Sequence, residues 1–136
     1  MRSERGFTLV ELLVVILIIG ILAAIGLGTY MNQRSKGQDT EAKQAAALIA
    51  KTLLMYEHDE QTFATANRAV LIALEPAIGD GPNFALNVGV ADFDVEVTSD
   101  SGGNGGGPFR IEYDAGDMVK SCDTPGRGAC PTDGRW

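Results

Sequence analysis

One long apolar stretch constrains this chain more than any other feature. From residue 7 to residue 30, 18 of 24 side chains are apolar, and residues 12–31 carry no charge. Such a stretch is long enough for a helix that crosses a lipid bilayer. One carboxylate, Glu11, interrupts it. An ionisable group in lipid costs roughly 2.5 kcal/mol or more, so Glu11 requires a partner and indicates a functional role.

Charge predicts how the apolar stretch is oriented. Arg2 and Arg5 precede it, whereas the residues after it are acidic overall. The positive-inside rule therefore predicts that residues 1–6 stay in the cytoplasm and that the remainder is exported. That remainder, about a hundred residues, suits one small domain. The net charge of −7 argues against nucleic acid as a specific partner.

Two simple interpretations of this segment explain only part of it. A signal peptide would be cleaved after the small residues Gly26 and Gly28, but its apolar region normally spans only about 7–15 residues. A plain membrane anchor explains the length. It does not explain the block G-F-T-L-V-E at residues 6–11.

That block and the aliphatic residues after it resemble the class III leader and N-terminal helix of type IV pilins and type II secretion pseudopilins. The resemblance covers residues 6–30. It implies that a prepilin peptidase cleaves between Gly6 and Phe7 and methylates the new amino group of Phe7. It also implies that Glu11 pairs with the terminal amine of a neighbouring subunit and so sets the register of a filament.

The resemblance implies an α+β fold, the type IV pilin fold, in which a long N-terminal helix packs against an antiparallel sheet of three or four strands. The predicted organisation is a cleaved leader at 1–6, a transmembrane and filament-core helix at 7–30, and an exported domain at 31–136. The first half of the helix is hydrophobic and the second half is amphipathic.

Small residues recur on one face of the apolar helix. Gly20, Ala24 and Gly28 are spaced at i, i+4 and i+8, a pattern that lets helices approach closely. Many relatives have a proline where this chain has Gly28. Gly20, Gly26 and Gly28 each weaken a helix by roughly 1 kcal/mol relative to Ala, so we expect a glycine-permitted loosening, with packing alone as the alternative.

After residue 30 the composition becomes polar while the helical period continues to about Glu57. Asp39 and Lys43 are predicted to form an i,i+4 ion pair. Asn67 is predicted to cap a short helix that ends at Pro76. The apolar face of the long helix is predicted to consist of Ala42, Ala45, Ile49, Leu53 and Tyr56.

The second half of the chain predicts strands at 84–90, 92–97, 109–113 and 117–121. The strand 92–97 alternates strictly between apolar and acidic residues, so one face is apolar and the other carries three carboxylates. A solvated acidic face is favoured over a Ca²⁺ site, because carboxylates about 7 Å apart along one strand do not wrap an ion. The glycine-rich residues 101–107 predict a flexible surface loop.

Cys122 and Cys130 are the only cysteines. If the C-terminal part is exported to an oxidising compartment, they are expected to form a disulfide, and similar cysteine-closed loops are familiar from type IV pilins. A two-cysteine metal site is the alternative.

The predicted function is that of a structural subunit, the major pilin of a type IV pilus, without enzymatic activity or cofactor. Motility, adhesion or DNA uptake would then belong to the whole filament. The implied partners are other copies of the chain, the prepilin peptidase, a pilus assembly ATPase, a platform protein and, before assembly, the inner membrane. The implied location is first the cytoplasmic membrane and then the extracellular pilus. The alternatives are a pseudopilin of a type II secretion system and, more remotely, a membrane-anchored binding module.

Overall fold

The structure, a computed structural model, describes residues 6–136. The helices are α1 (Leu9–Glu60), α2 (Arg68–Leu74) and α3 (Ala77–Asp80), and a short 3₁₀ turn spans Gly102–Asn104. The strands are β1 (Phe84–Val88), β2 (Asp92–Val97), β3 (Phe109–Asp114) and β4 (Asp117–Cys122). The chain divides into two compact units, with the boundary between Asn32 and Gln33.

The described part of the first unit is the N-terminal portion of α1 and the three residues before it. Its large apolar side chains are exposed, and α1 buries no residue before Ser35. This stretch is the one part of the described chain that is long and apolar enough to cross a membrane. Exposure of this apolar surface to water is unfavourable, so the stretch is expected to contact another molecule or lipid.

The second unit packs the remaining part of α1 against a four-stranded antiparallel sheet. The strands lie in the order β1-β2-β3-β4, so each pairs with its neighbour in sequence. The strand 92–97 buries its apolar face as predicted: Phe93, Val95 and Val97 are all 2% exposed or less. Ala42 and Ala46 of α1 are fully buried in the same core, because small side chains let the helix lie close to the sheet. The predicted α+β architecture is confirmed.

Local hydrogen bonds and backbone conformation determine where α2 begins and where α1 ends. The α2 helix begins where it was predicted, because the side chain of Asn67 accepts a hydrogen bond from the backbone of Val70 at 3.1 Å. The α1 helix runs three residues beyond the predicted end near Glu57. It stops at Gln61, which has a left-handed backbone (φ 59°) and donates its side-chain amide to the carbonyl of His58. His58 itself is exposed.

The prediction of a surface loop at the glycine-rich residues 101–107 is right for residues 102–104, which are exposed, but wrong for the glycines that follow. The segment connects the antiparallel neighbours β2 and β3, and its Gly105 and Gly106 are buried. A Cβ added to Gly106 would lie 2.3 Å from Cβ of Cys130 and 2.5 Å from the carbonyl oxygen of Arg127. These glycines are therefore required by a close approach of two backbone segments.

Gly106→Ala is expected to lower the free energy of unfolding by about 2 kcal/mol or more, because the new methyl group overlaps backbone and the Cys130 side chain. Gly103→Ala, in the same loop, is the matched control, since its added Cβ meets nothing within 4 Å. Urea unfolding of the full chain in detergent micelles, followed by the fluorescence of Trp136, measures both. Equal midpoints for the two variants would contradict the packed-loop interpretation.

Candidate functional site

Gly6, Phe7 and Thr8 precede α1, and the first helical residue is Leu9. Gly6 is exposed and Phe7 is 84% exposed, so the peptide bond between them is accessible. The predicted cleavage point therefore lies in irregular chain just before a helix. This geometry is compatible with proteolysis.

Glu11 has a partner within its own chain that the sequence analysis missed. The backbone N–H of Thr8 donates to Oε2 of Glu11 at 2.9 Å, and the Thr8 hydroxyl donates to the same oxygen at 2.7 Å. The backbone N–H of Glu11 in turn donates to the Thr8 hydroxyl at 3.2 Å. This reciprocal pair is a capping box, and the spacing T-x-x-E at residues 8–11 is the signal that would have revealed it.

The capping box leaves room for a second role. Both bonds from Thr8 go to Oε2, so Oε1 of Glu11 takes part in neither. The carboxylate is also fully exposed. An amine from another molecule can therefore approach Oε1 while Thr8 still starts the helix.

Gly20, Ala24, Gly26 and Gly28 all lie within α1, which continues through them without a break. A Cβ added to any of the three glycines would meet no atom within 4 Å, so the chain itself leaves their surroundings open. Nothing inside the described chain requires glycine at these positions. A requirement for it would come from another helix packed against this face.

The second unit has a polar centre at Asp39, which is fully buried. Four donors surround its carboxylate. The hydroxyls of Ser99 and Ser101 donate to Oδ1 at 2.6 and 2.7 Å, and the backbone N–H groups of Gly106 and Ala129 each donate to Oδ2 at 2.8 Å. One helix side chain thus joins the β2–β3 connection to the cysteine loop.

The predicted ion pair between Asp39 and Lys43 is wrong, because no direct salt bridge joins them in the described chain. Lys43 instead donates its ammonium group to the carbonyl of Ala129. It also lies over the rings of Phe109 and Trp136, 5.3 and 5.5 Å from their centroids. Both charges turn inward because the sheet and the cysteine loop supply stronger partners than an exposed i,i+4 pair does.

Hydrogen bonding decides the protonation state of Asp39. Burial alone raises its pKa, but the bonds from Ser101, Ser99, Gly106 and Ala129 outweigh burial, so the pKa of Asp39 lies below its ordinary value. For Lys43, burial lowers the pKa and the nearby charge of Asp39 opposes that effect. Asp39 is therefore a carboxylate at neutral pH.

Cys122 and Cys130 form a disulfide with their Cα atoms 5.9 Å apart, which confirms the expected pairing. Closing so short a loop stabilises the fold by about 2.5 kcal/mol in the chain-entropy model. Trp136 packs edge-on against Phe109 and donates its indole N–H to the carbonyl of Ser121 at 2.8 Å. The C-terminal residues thus close over the end of β4.

Arg110 of β3 places its cation among the carboxylates of the acidic face of β2. The guanidinium of Arg110 is paired with Glu96 and lies 3.6 Å from Asp94 and 3.8 Å from Glu112. Burial raises the pKa of Asp94, Arg110 opposes this, and Glu112 and Glu96 add to it. Among residues 6–136 no cluster of three or more His, Cys, Asp or Glu side chains has the arrangement of a metal site.

Comparison with known proteins identifies the class. The family model for the prokaryotic N-terminal methylation motif matches residues 1–27. The type IV wide pilus major component PilA4 of Thermus thermophilus is 40% identical over 54% of this chain and 56% of its own length. Fimbrial protein Q of Moraxella bovis is 58% identical over 42% of the chain and 38% of its own length.

A third relative matches over a longer span. The type II secretion system core protein G of Escherichia coli is 30% identical over 75% of this chain and 69% of its own length. The chain therefore belongs to the type IV pilin family, in which pilins and secretion pseudopilins are related. It covers only about half the length of the Thermus protein and less of the Moraxella protein. No solved structure is a significant match.

Asp39→Asn is expected to lower the free energy of unfolding at pH 7 by about 2–3 kcal/mol, because a charged acceptor of four hydrogen bonds is lost. The stability that Asp39 contributes is fully present above its unfolded pKa, about 3.9, and is lost as pH falls through its lower folded pKa. The difference between the unaltered chain and the variant should therefore shrink below about pH 4.

Urea unfolding of both proteins between pH 7 and pH 2.5 measures this difference. Asp94 is present in both chains, so its opposite pH dependence cancels in the comparison. A gap that stays constant over the whole range would show that the charge of Asp39 is unimportant.

Proposed function

We propose that this chain is the major structural subunit of a type IV pilus and that it assembles into an extracellular filament through its N-terminal helix. The observation that carries the proposal is the apolar stretch of α1 before Ser35, in which no residue is buried. Lipid covers such a surface before assembly, and the same surface of other copies covers it afterwards. The proposed role is structural and involves no catalysis.

The methylation motif supports a processed N-terminus. A prepilin peptidase would cleave between Gly6 and Phe7, which are exposed and outside the helix, and would methylate the amine of Phe7. The leader is then 1–6, the filament-core helix 7–30 and the exported domain 31–136. The charge pattern supports an N-terminus in the cytoplasm before cleavage.

Glu11 is proposed to set the register between subunits. Its Oε2 holds Thr8, and its Oε1 would accept the amine of Phe7 from a neighbouring copy. Joining an isolated carboxylate to an isolated amine in an apolar surrounding removes much of the penalty of each. Gly20, Ala24, Gly26 and Gly28 would let neighbouring helices pack closely and would permit local loosening of α1.

The partners implied by this function are a cytoplasmic assembly ATPase and a membrane platform protein, in addition to the peptidase. The subunit would begin as a single-pass protein of the cytoplasmic membrane and end in the pilus. Motility, adhesion or DNA uptake would be activities of the assembled filament.

A pseudopilin of a type II secretion system is the second candidate. The match to the Escherichia coli core protein G favours it, because that match spans more of the chain than either pilin match. Electron microscopy of cells with and without the gene separates the two. Loss of long surface filaments supports the pilin, whereas intact filaments with loss of exported enzymes support the pseudopilin.

The mature protein is expected to lack residues 1–6 and to carry one methyl group on Phe7. Mass spectrometry of the protein from membranes or sheared filaments measures this directly. Gly6→Val should block processing, because a branched side chain stands at the bond to be cut, and the full-length mass should accumulate. An intact N-terminus in the unaltered protein would instead indicate a plain membrane-anchored module.

Glu11→Gln should reduce filament yield at least tenfold while leaving the helix start intact. Glutamine also serves in a capping box, so this variant removes the charge and retains the bond with Thr8. Filament yield is counted by electron microscopy in cells that produce only the variant. Glu41→Ala, exposed elsewhere on α1, is the control and should assemble normally. Normal assembly of Glu11→Gln would rule out the register role.

A further inference from the structure

The cysteine loop is attached to α1 by more than its disulfide. Asp39 accepts the N–H of Ala129 at 2.8 Å, and Lys43 donates to the carbonyl of the same residue. These side chains are one helical turn apart and therefore lie on the same face of α1. The helix therefore holds both the N–H and the carbonyl of Ala129, the residue directly before Cys130.

The backbone around this contact is shaped to fit the carboxylate. Gly128 has a left-handed backbone (φ 52°), and a Cβ there would lie 1.9 Å from Oδ2 of Asp39. Gly106, which donates to the same oxygen, packs against Cys130. Only residues without a side chain let the two segments close on Asp39.

The two cysteines are positioned by different elements. Cys122 ends β4, pairs with Phe109 of β3 and donates its N–H to Gly134 at 2.9 Å. Cys130 belongs to no helix or strand, and the α1 contacts to Ala129 fix the residue before it. The sheet therefore holds one sulfur, and the long helix holds the segment that carries the other.

We propose that Asp39 and Lys43 are positioning residues for the Cys122–Cys130 disulfide. They dock residues 128–130 on α1 while the cysteines are still thiols, and oxidation then joins a pair that is already in place. With oxidised glutathione as the oxidant, two protein thiols become one disulfide, and two electrons and two protons pass to glutathione to give two glutathione thiols. Docking before oxidation raises the effective concentration of one thiol near the other.

The consequence is an order of events. The bond forms readily only in a chain whose α1 has packed against the sheet, so the disulfide locks a finished fold. This role does not depend on whether the filament is a pilus or a secretion pseudopilus.

The test is the redox equilibrium of the full chain in detergent micelles with reduced and oxidised glutathione, read by thiol alkylation and mass spectrometry. Asp39→Asn should lower the effective concentration of the cysteine pair at least tenfold. Asp59→Asn, the same change at an exposed site on α1, should leave it unchanged. Equal values for the two variants would overturn the proposal.

A second measurement covers the case in which Asp39→Asn does not fold. Lys43→Met retains the aliphatic contacts and the Asp39 carboxylate but removes the donor to Ala129, and it should lower the effective concentration about threefold. In the reduced unaltered chain the amide of Ala129 should still exchange slowly with solvent deuterium. Rapid exchange at Ala129 after reduction, with β2 amides still protected, would show that the disulfide holds the loop and that Asp39 does not.

Discussion

The second unit depends on the buried carboxylate of Asp39. A charge without water costs several kcal/mol unless hydrogen bonds replace the lost solvation, and here four donors from two separate stretches of chain do so. The helix, the glycine-rich connection and the cysteine loop therefore satisfy one another only when all three are in place. This mutual dependence favours a single arrangement of the connection and the cysteine loop, which have little secondary structure of their own.

The hydrogen-bond donors to Asp39 are distant from it in sequence, which explains why the sequence predicted the strands better than this polar centre. Strict alternation at 92–97 and the Asn67 cap are local signals, and both elements were found as expected. The donors to Asp39 lie 60–90 residues away along the chain. The available signal was a charged residue, Asp39, one turn before Ala42 on the buried face of the helix. An ion pair with Lys43 at i+4 was the simpler local explanation.

The burial of glycines within residues 101–107 could likewise not be predicted from local composition. Composition alone favours a flexible connection, since glycine is the residue most easily accommodated in exposed turns. The burial of Gly105 and Gly106 follows from tertiary packing against Asp39 and Cys130. Conversely, T-x-x-E at residues 8–11 is a purely local motif, so the capping box that Thr8 and Glu11 form was predictable from the sequence alone.

In the proposed filament, charge and burial favour the apolar helix over the acidic second unit as the source of attraction between copies. A chain with a net charge of −7 repels its neighbours, and Arg110 offsets only part of the acidic face of the sheet. Salt limits that repulsion to about 8 Å at physiological ionic strength. In the proposed assembly the exposed side chains of the first unit, from Phe7 to Met31, pass from lipid to other copies without meeting water. Close van der Waals packing between helices, and not transfer from water, would then be the attraction that opposes the repulsion.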